Sequence, residues 1–191
     1  MTELEAAVHM LQSGGLVVYP TDTLYALGAS ISHREAVERV YEVKRRPLRC
    51  PLPVAVAEVE LMGQVGVMTA SARRLAGAFL PGPLTLVLAR RDAVPAVVSP
   101  RTVAVRVPDH PVARRLLSRT GPLTATSANL HRGPLPATVE GAREQLGAGV
   151  DLYVDGGLLP GTPSTIVDAT GEVRVLREGA IPAEEVYAHA R

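Results

Sequence analysis

The fold is decided by the stretch Gly14-Gly15-Leu16-Val17-Val18-Tyr19-Pro20-Thr21-Asp22-Thr23. Its two glycines end a helix that is predicted to begin at a capping box formed by Thr2 and Glu5. The apolar run from Leu16 to Tyr19 is typical of a buried strand. Because this strand leads directly into a polar turn, the stretch predicts the order helix, strand and strand-end loop.

Segments of the same two kinds alternate along the rest of the chain. Further strands are predicted at 52–57, 84–89, 103–107, 123–126, 152–154, 165–167 and 173–176. Helices fit 71–80, 111–119, 139–146 and 182–190. The 16 prolines and 17 glycines concentrate between these segments, where turns belong. We therefore expect a single α/β domain over residues 1–191, with a mixed rather than strictly parallel sheet.

A further helix is predicted to begin at a second capping box, Ser32 with Glu35, and to carry Lys44 near its end. Lys44 follows Val37 by seven residues, so the two side chains share the inward face. It is the single lysine of the chain, against nineteen arginines. Two interpretations stay open: an arginine-biased composition, or a compact ammonium that is needed beside one phosphate oxygen. If the second interpretation holds, Lys44→Ala is expected to impair function severely and to leave folding largely intact, because the side chain is expected to face a cavity.

Composition argues against several classes of function. The 20 basic and 19 acidic side chains leave a net charge of +1, so no global field attracts nucleic acid. Aromatic residues make up only 3% of the chain, which argues against base-stacking platforms. Cys50 is the only cysteine, which excludes an internal disulfide and favours a reducing compartment. No segment resembles a secretory leader or a membrane span, and we expect a cytoplasmic protein.

Common catalytic motifs are absent from the sequence. The five histidines show no metal-binding spacing, so no metal site is predicted from a protein motif. There is no G-x-S-x-G elbow, no phosphate-binding P-loop and no strand-linked G-x-G-x-x-G. A nucleotide would therefore be bound without the usual glycine loops.

Six polar clusters stand at the predicted strand ends and carry the candidate site. They occupy 20–23, 44–47, 81–85, 102–108, 126–129 and 161–165. Each alone is a good turn sequence. Together they surround Lys44, Arg46 and Arg106 with hydroxyls and an amide, which are the donors that a polyphosphate or a carboxylate needs. Loops at strand ends are also where α/β folds bind ligands.

In this order, the six clusters resemble the YrdC family of threonylcarbamoyl-AMP synthases over about residues 10–180. The resemblance implies a twisted mixed sheet flanked by helices, around a large, positively charged concave cavity. It implies a nucleotidyltransferase, an L-threonylcarbamoyladenylate synthase, that converts L-threonine, bicarbonate and ATP into the adenylate and pyrophosphate. The product would serve threonylcarbamoyladenosine modification of tRNA through downstream threonylcarbamoyl-transferase proteins, with at most weak direct contact to tRNA.

The resemblance also assigns roles to individual residues. The threonine is expected at Thr23, Arg106 and Ser164, with Arg106 holding its carboxylate bidentately. ATP is expected at Lys44, Arg46, Thr102, Ser127, Asn129 and Arg177, of which Lys44 and Arg46 are expected to act in catalysis. Mg2+ is expected to arrive with ATP. Because both reacting partners are anionic, positioning and cationic stabilisation are expected to outweigh acid–base chemistry.

Several positions depart from the family pattern near the candidate site. Ala26 stands where a glycine is usual, and Cys50 stands where many relatives have asparagine. Ala55 occupies the approximate position of a histidine, and His131-Arg132 replaces a usual Ser-Gly. These departures bear on the choice of amino acid more than on ATP.

Two other functions stay open. One is an RNA-binding module without catalysis, which the near-zero net charge and the scarcity of aromatic residues weigh against. The other is a carbamoyl-transfer module of the hydrogenase-maturation type. That module normally belongs to a much longer chain with zinc-finger-like cysteine motifs, and a single cysteine argues against it.

Overall fold

The structure, a computed structural model, describes residues 2–191, so Met1 of the predicted domain lies outside the described residues. Within this range the α-helices α1 to α7 are Glu3–Gln12, Arg34–Lys44, Met62–Val65, Ala70–Phe79, Pro111–Thr120, Val139–Leu146 and Ala183–Ala190. The strands β1 to β11 are Val17–Tyr19, Ala26–Gly28, Val54–Ala55, Gly66–Val67, Leu84–Arg90, Thr102–Arg106, Leu123–Thr124, Thr126–Ser127, Leu152–Tyr153, Thr165–Asp168 and Arg174–Arg177. Short 3-10 turns lie at Val59–Leu61 and Gly147–Gly149.

The strands form two mixed sheets rather than the one expected. The smaller sheet has the order β8-β2-β1-β9, and the larger has the order β11-β10-β5-β6-β3-β7 with β4 paired to β5. Three pairs are parallel, β1 with β9, β5 with β10 and β3 with β6. The α/β class and the mixed pairing are confirmed.

The chain passes from one sheet to the other at Ala125. The sequence predicted one strand over 123–126, but β7 ends at Thr124 in the larger sheet and β8 begins at Thr126 in the smaller one. The amide of Ala125 is turned away to the carbonyl oxygen of Pro53, 2.8 Å from it. This split brings the end of β8 beside the end of the β1–β2 hairpin.

The two capping boxes have different outcomes. At α1 the Thr2 hydroxyl accepts from the Glu5 amide at 3.2 Å, and the Thr2 amide donates to the Glu5 carboxylate at 2.8 Å, so this box is confirmed. The box predicted at Ser32 is wrong. His33 is the N-cap of α2, and the Ser32 hydroxyl instead pairs with the hydroxyl of Ser30 at 2.8 Å. A nearby side chain has displaced the backbone amide as its partner.

Buried apolar side chains form two clusters that hold the sheets in place. The larger one joins both sheets to α2, α4 and α6. The smaller one packs α1 against α5 through residues such as Leu11 and Leu116. Because these two clusters take up the apolar side chains of both sheets, the polar residues lie at the strand ends between the sheets. Within residues 2–191, no helix has both the length and the apolar character needed to cross a membrane.

Candidate active site

A cavity of about 270 Å³ opens where strands of both sheets end. The smaller sheet contributes residues of β1, β2 and β8, and the larger contributes residues of β3, β5, β6, β10 and β11. Six of the nine predicted site residues line it: Thr23, Arg46, Arg106, Ser127, Ser164 and Arg177. The polar clusters therefore converge as expected, although they are far apart in the sequence.

Arg106, the last residue of β6, is held from two sides. Its Nη1 donates to the Thr23 hydroxyl at 2.8 Å, and its Nη2 donates to Asp22 Oδ1 at 2.6 Å. Nη2 also lies 3.3 Å from the carbonyl oxygen of Gly82. Burial lowers the pKa of Arg106, and the charge of Asp22 opposes that shift. Both η nitrogens thus already donate hydrogen bonds to the protein. A carboxylate bound through both of them would have to replace the bonds to Thr23 and Asp22.

The loop after β1 is ordered by the hydroxyl of Thr21. This oxygen accepts from the amides of Thr23 and Leu24, both at 3.2 Å, and donates to the Leu24 carbonyl at 2.6 Å. It also lies 3.0 Å from the Thr23 hydroxyl. The sequence placed Thr21 and Asp22 in a polar cluster but gave neither a role. Their signal was the turn chemistry of Pro20-Thr21-Asp22-Thr23, which was interpreted as a loop.

A second group of donors comes from the larger sheet. Ser164 and Thr85 pair through their hydroxyls at 2.8 Å, and Arg177 Nη2 donates to the Ser164 carbonyl at 2.7 Å. Burial lowers the pKa of Arg177, and the nearby positive charge of Arg106 lowers it further. Thr85 lines the cavity and was not among the predicted site residues, although it closes the cluster 81–85.

Arg46 also lines the cavity, and its side chain closes the loop that follows it. Its Nε donates to the Cys50 carbonyl at 3.0 Å and its Nη2 donates to the Pro51 carbonyl at 2.8 Å. Within residues 2–191, Nη1 of Arg46 makes no hydrogen bond. This edge of the guanidinium is therefore available to a ligand.

Lys44 is inward-facing, as predicted, but it does not line the cavity. It is the last residue of α2 and only 1% exposed. Its ammonium donates to the carbonyl oxygens of Ser127 and Asn129, the latter at 2.6 Å, and lies 3.3 Å from Asn129 Oδ1. Since an ammonium has three donors, this set already satisfies it. Burial, followed by the charge of Arg46, lowers the pKa of Lys44 to about 7.

Asn129 and Thr102 also lie off the cavity wall. The Asn129 amide accepts from the Ser127 hydroxyl at 2.6 Å and donates to the Gly133 carbonyl at 2.8 Å, so it stiffens the segment that Lys44 holds. Thr102 is exposed at the first residue of β6, whereas Arg106 is the last. Four strand residues span about 13 Å, which separates Thr102 from the cluster.

Three arginine side chains contribute to the cavity wall. Arg46, Arg106 and Arg177 line it, and no Asp or Glu is found among its lining residues in the part of the chain that the structure describes. Asp22 forms an ion pair with Arg106 but does not line the cavity. The arrangement suits an anionic ligand that is also surrounded by hydroxyls.

A family model settles the relationship of this chain to known proteins. The Sua5, YciO and YrdC model, described as "Telomere recombination", matches residues 9–179. The chain belongs to the Sua5/YciO/YrdC family. A threonylcarbamoyl-AMP synthase of Vibrio vulnificus is 36% identical over 94% of this chain and 100% of its own length.

Longer members of the Sua5/YciO/YrdC family match as well. A threonylcarbamoyl-AMP synthase of Pyrococcus abyssi is 36% identical over 96% of this chain and 56% of its own length. The solved structure of P. abyssi Sua5 complexed with L-threonine superposes with a TM-score of 0.93 at 35% identity, covering 98% of this chain and 58% of that one. The chain thus spans about half the length of these longer curated relatives.

The structure locates the positions at which this chain departs from the Sua5/YciO/YrdC pattern. Ala26 lies in β2 with an ordinary negative φ, so no glycine is needed there. Gly28 is needed, because a Cβ at this position would lie 2.7 Å from the Tyr19 ring. Ala55 lines the cavity, while the amide of His131 donates to the Lys44 carbonyl at 2.8 Å.

Proposed function

We propose that this chain is a nucleotidyltransferase that makes L-threonylcarbamoyl-adenylate from L-threonine, bicarbonate and ATP. The observation that carries the proposal is the cavity wall, which among residues 2–191 has three guanidinium groups, no carboxylate, and the hydroxyls of Thr23, Ser127 and Ser164. Support also comes from the full-length match to a threonylcarbamoyl-AMP synthase. The proposal treats residues 1–191 as one domain and places the reaction in the cytoplasm, in keeping with the single cysteine.

L-Threonine is assigned to the part of the cavity formed by Thr23, Arg106 and Ser164. Arg106 supplies positive charge, and the paired hydroxyls of Ser164 and Thr85 supply neutral donors and acceptors close to it. The threonine-bound structure of P. abyssi Sua5, with the same fold, supports an amino-acid site in this family. An amino acid here would have its amine and carboxylate fixed by groups that are already ordered.

ATP is assigned to the part formed by Arg46, Ser127 and Arg177, with Lys44 and Asn129 directly behind Ser127. A contact between Lys44 and a phosphate is part of the proposal, and it requires the ammonium to exchange one carbonyl oxygen for a phosphate oxygen. Thr102 is left out because it is separated from the cavity. In the described part of the chain the wall offers Mg2+ no carboxylate ligand, so the ion would be bound by the phosphate oxygens of the MgATP substrate.

The proposed reaction has two steps. The threonine amine attacks the carbon of bicarbonate, a C–N bond forms, and a proton and hydroxide leave as water to give the carbamate. A carbamate oxygen then attacks the α-phosphorus, an O–P bond forms, and the bond to the β-phosphate oxygen breaks to release pyrophosphate. Both partners of the second step are anions, so the arginines would act by lowering their mutual repulsion and aligning them.

The test is pyrophosphate release from ATP with L-threonine and bicarbonate present together or omitted singly. We expect release only in the complete mixture, together with an adenylate that carries threonine. Release that is unaffected by omission of L-threonine would contradict the proposal. The adenylate would then pass to threonylcarbamoyl-transferase proteins that modify tRNA.

A further inference from the structure

Buried polar atoms without a partner are concentrated around Arg106. Within residues 2–191 there are four such side-chain atoms: Tyr19 Oη, Asp22 Oδ2, Arg106 Nε and His110 Nδ1. Asp22 forms an ion pair with Arg106. The charge of Arg106 acts on the Tyr19 hydroxyl, and the charge of Asp22 acts on the His110 ring. Folded proteins leave few buried polar atoms unpaired, so their concentration around Arg106 needs an explanation.

Most of the hydrogen-bond donors of Arg106 are bound to other residues of the protein. A guanidinium has five N–H groups. Two on Nη2 are directed to Asp22 and Gly82, and one on Nη1 is directed to Thr23. The N–H of Nε and the second N–H of Nη1 remain. The protein therefore holds both η nitrogens, and since Nε is buried, the second N–H of Nη1 is the donor left for a ligand.

Asp22 is well placed to fix this arrangement of donors. Its contact with Arg106 Nη2, at 2.6 Å, is the shortest of the three, and the two side chains are only 13% and 9% exposed. Its own backbone lies in the loop that the Thr21 hydroxyl orders. Asp22 does not line the cavity, whereas Arg106 and Thr23 do. Asp22 therefore acts on a ligand without touching it, through its hydrogen bond to Arg106 and through its charge.

We propose that Asp22 is a positioning residue that orients Arg106 for the amino-acid substrate by accepting a hydrogen bond from Nη2, an inference that rests on the proposed function. This arrangement has a cost, because the carboxylate neutralises much of the charge that would attract an anion. The two effects of Asp22 on affinity have opposite signs. If orientation dominates, removing Asp22 weakens binding, and if neutralisation dominates, removing it strengthens binding.

The experiment compares Asp22→Asn with Asp22→Ala. Asparagine keeps an oxygen acceptor at the same distance and loses the charge, whereas alanine loses both. L-Threonine binding is measured by titration calorimetry, and the Michaelis constants for threonine and ATP are measured separately. Asp109→Asn is the matched control, since this neighbouring carboxylate is exposed and makes no side-chain hydrogen bond or ion pair in the described part of the chain. Circular dichroism and thermal melting check that each variant is folded.

We expect Asp22→Ala to weaken threonine binding about tenfold or more, which corresponds to the loss of one charge-assisted hydrogen bond between Arg106 and threonine. Asp22→Asn should recover most of this loss. The Michaelis constant for ATP should stay unchanged in both variants. Threonine binding that is unchanged or tighter in Asp22→Ala would overturn the proposal, and so would an equal loss in both variants. Failure of the wild-type protein to bind threonine would instead contradict the proposed function.

Discussion

Single residues show most clearly what the structure adds to the sequence. The spacing of Val37 and Lys44 correctly predicted that Lys44 faces inward at the end of α2. The spacing did not show which groups the ammonium of Lys44 contacts there. Its partners are carbonyl oxygens of Ser127 and Asn129, which lie 83 and 85 residues further along the chain. The expectation that Lys44 faces an open cavity is wrong, and its first effect is to hold the segment 127–129 in place.

Lys44 therefore contributes to stability as well as to any function. Lys44→Met leaves the buried Asn129 carbonyl oxygen without its lysine donor, while the Ser127 carbonyl keeps the amide of Asn129, and we expect the free energy of unfolding to fall by about 1–3 kcal/mol. This reverses the earlier expectation that truncating Lys44 leaves folding intact. Urea denaturation measures the effect, with Arg34→Met on the same helix as the control. Arg34 makes only an exposed pair with Glu38, so its loss should cost less than about 1 kcal/mol. A Lys44→Met protein as stable as the wild type would contradict this role.

A contact between Lys44 and ATP would leave a proton signature. Because burial and Arg46 lower the pKa of Lys44 to about 7, roughly nine-tenths of the side chains are neutral at pH 8. Phosphate charge nearby raises the pKa again, so ATP binding at pH 8 should take up close to one proton. At pH 6 the side chain is already protonated and uptake should be small. Calorimetry in two buffers of different ionisation enthalpy measures this quantity, and ATP binding without uptake at pH 8 would exclude the contact.

Secondary-structure elements were predictable where their pattern was long. The helix at Val139–Leu146 has the predicted bounds, and Pro111–Thr120 differs by one residue. The strand at Ala26–Gly28 was missed because it is short and its sequence Ala-Leu-Gly has no β-branched or aromatic residue. The segment 59–67 was missed for a similar reason, since it holds a 3-10 turn, a four-residue helix and a two-residue strand.

The β1–β2 hairpin gives a test at the level of elements. Gly28 in β2 packs against the ring of Tyr19 in β1, and a Cβ there would lie 2.7 Å from the ring carbon Cε1. We expect Gly28→Ala to lower the free energy of unfolding by about 1–3 kcal/mol through overpacking. Gly63→Ala is the control, because a Cβ at that position would meet no atom within 4 Å. Equal stability of the two variants in urea denaturation would show that the hairpin packs differently.

At the scale of the whole molecule, the candidate site could be predicted better than the sheets that build it. Six of the nine predicted site residues line one cavity, since polar clusters at strand ends are visible in the sequence. The division into two sheets was not visible, because it depends on which strands pair across long distances. For the same reason the sequence could not show that Asp22 lies against Arg106, or that Thr102 lies at the other end of β6 from it.

The central claim is that this cavity joins threonine, bicarbonate and ATP in one product. It is tested most directly by incubating the protein with L-threonine, MgATP and bicarbonate labelled with ¹³C, followed by mass spectrometry of the adenylates. The account predicts threonylcarbamoyl-adenylate that carries the heavy carbon, formed in proportion to the pyrophosphate released. An adenylate without the label, or no threonine-containing adenylate at all, would contradict it.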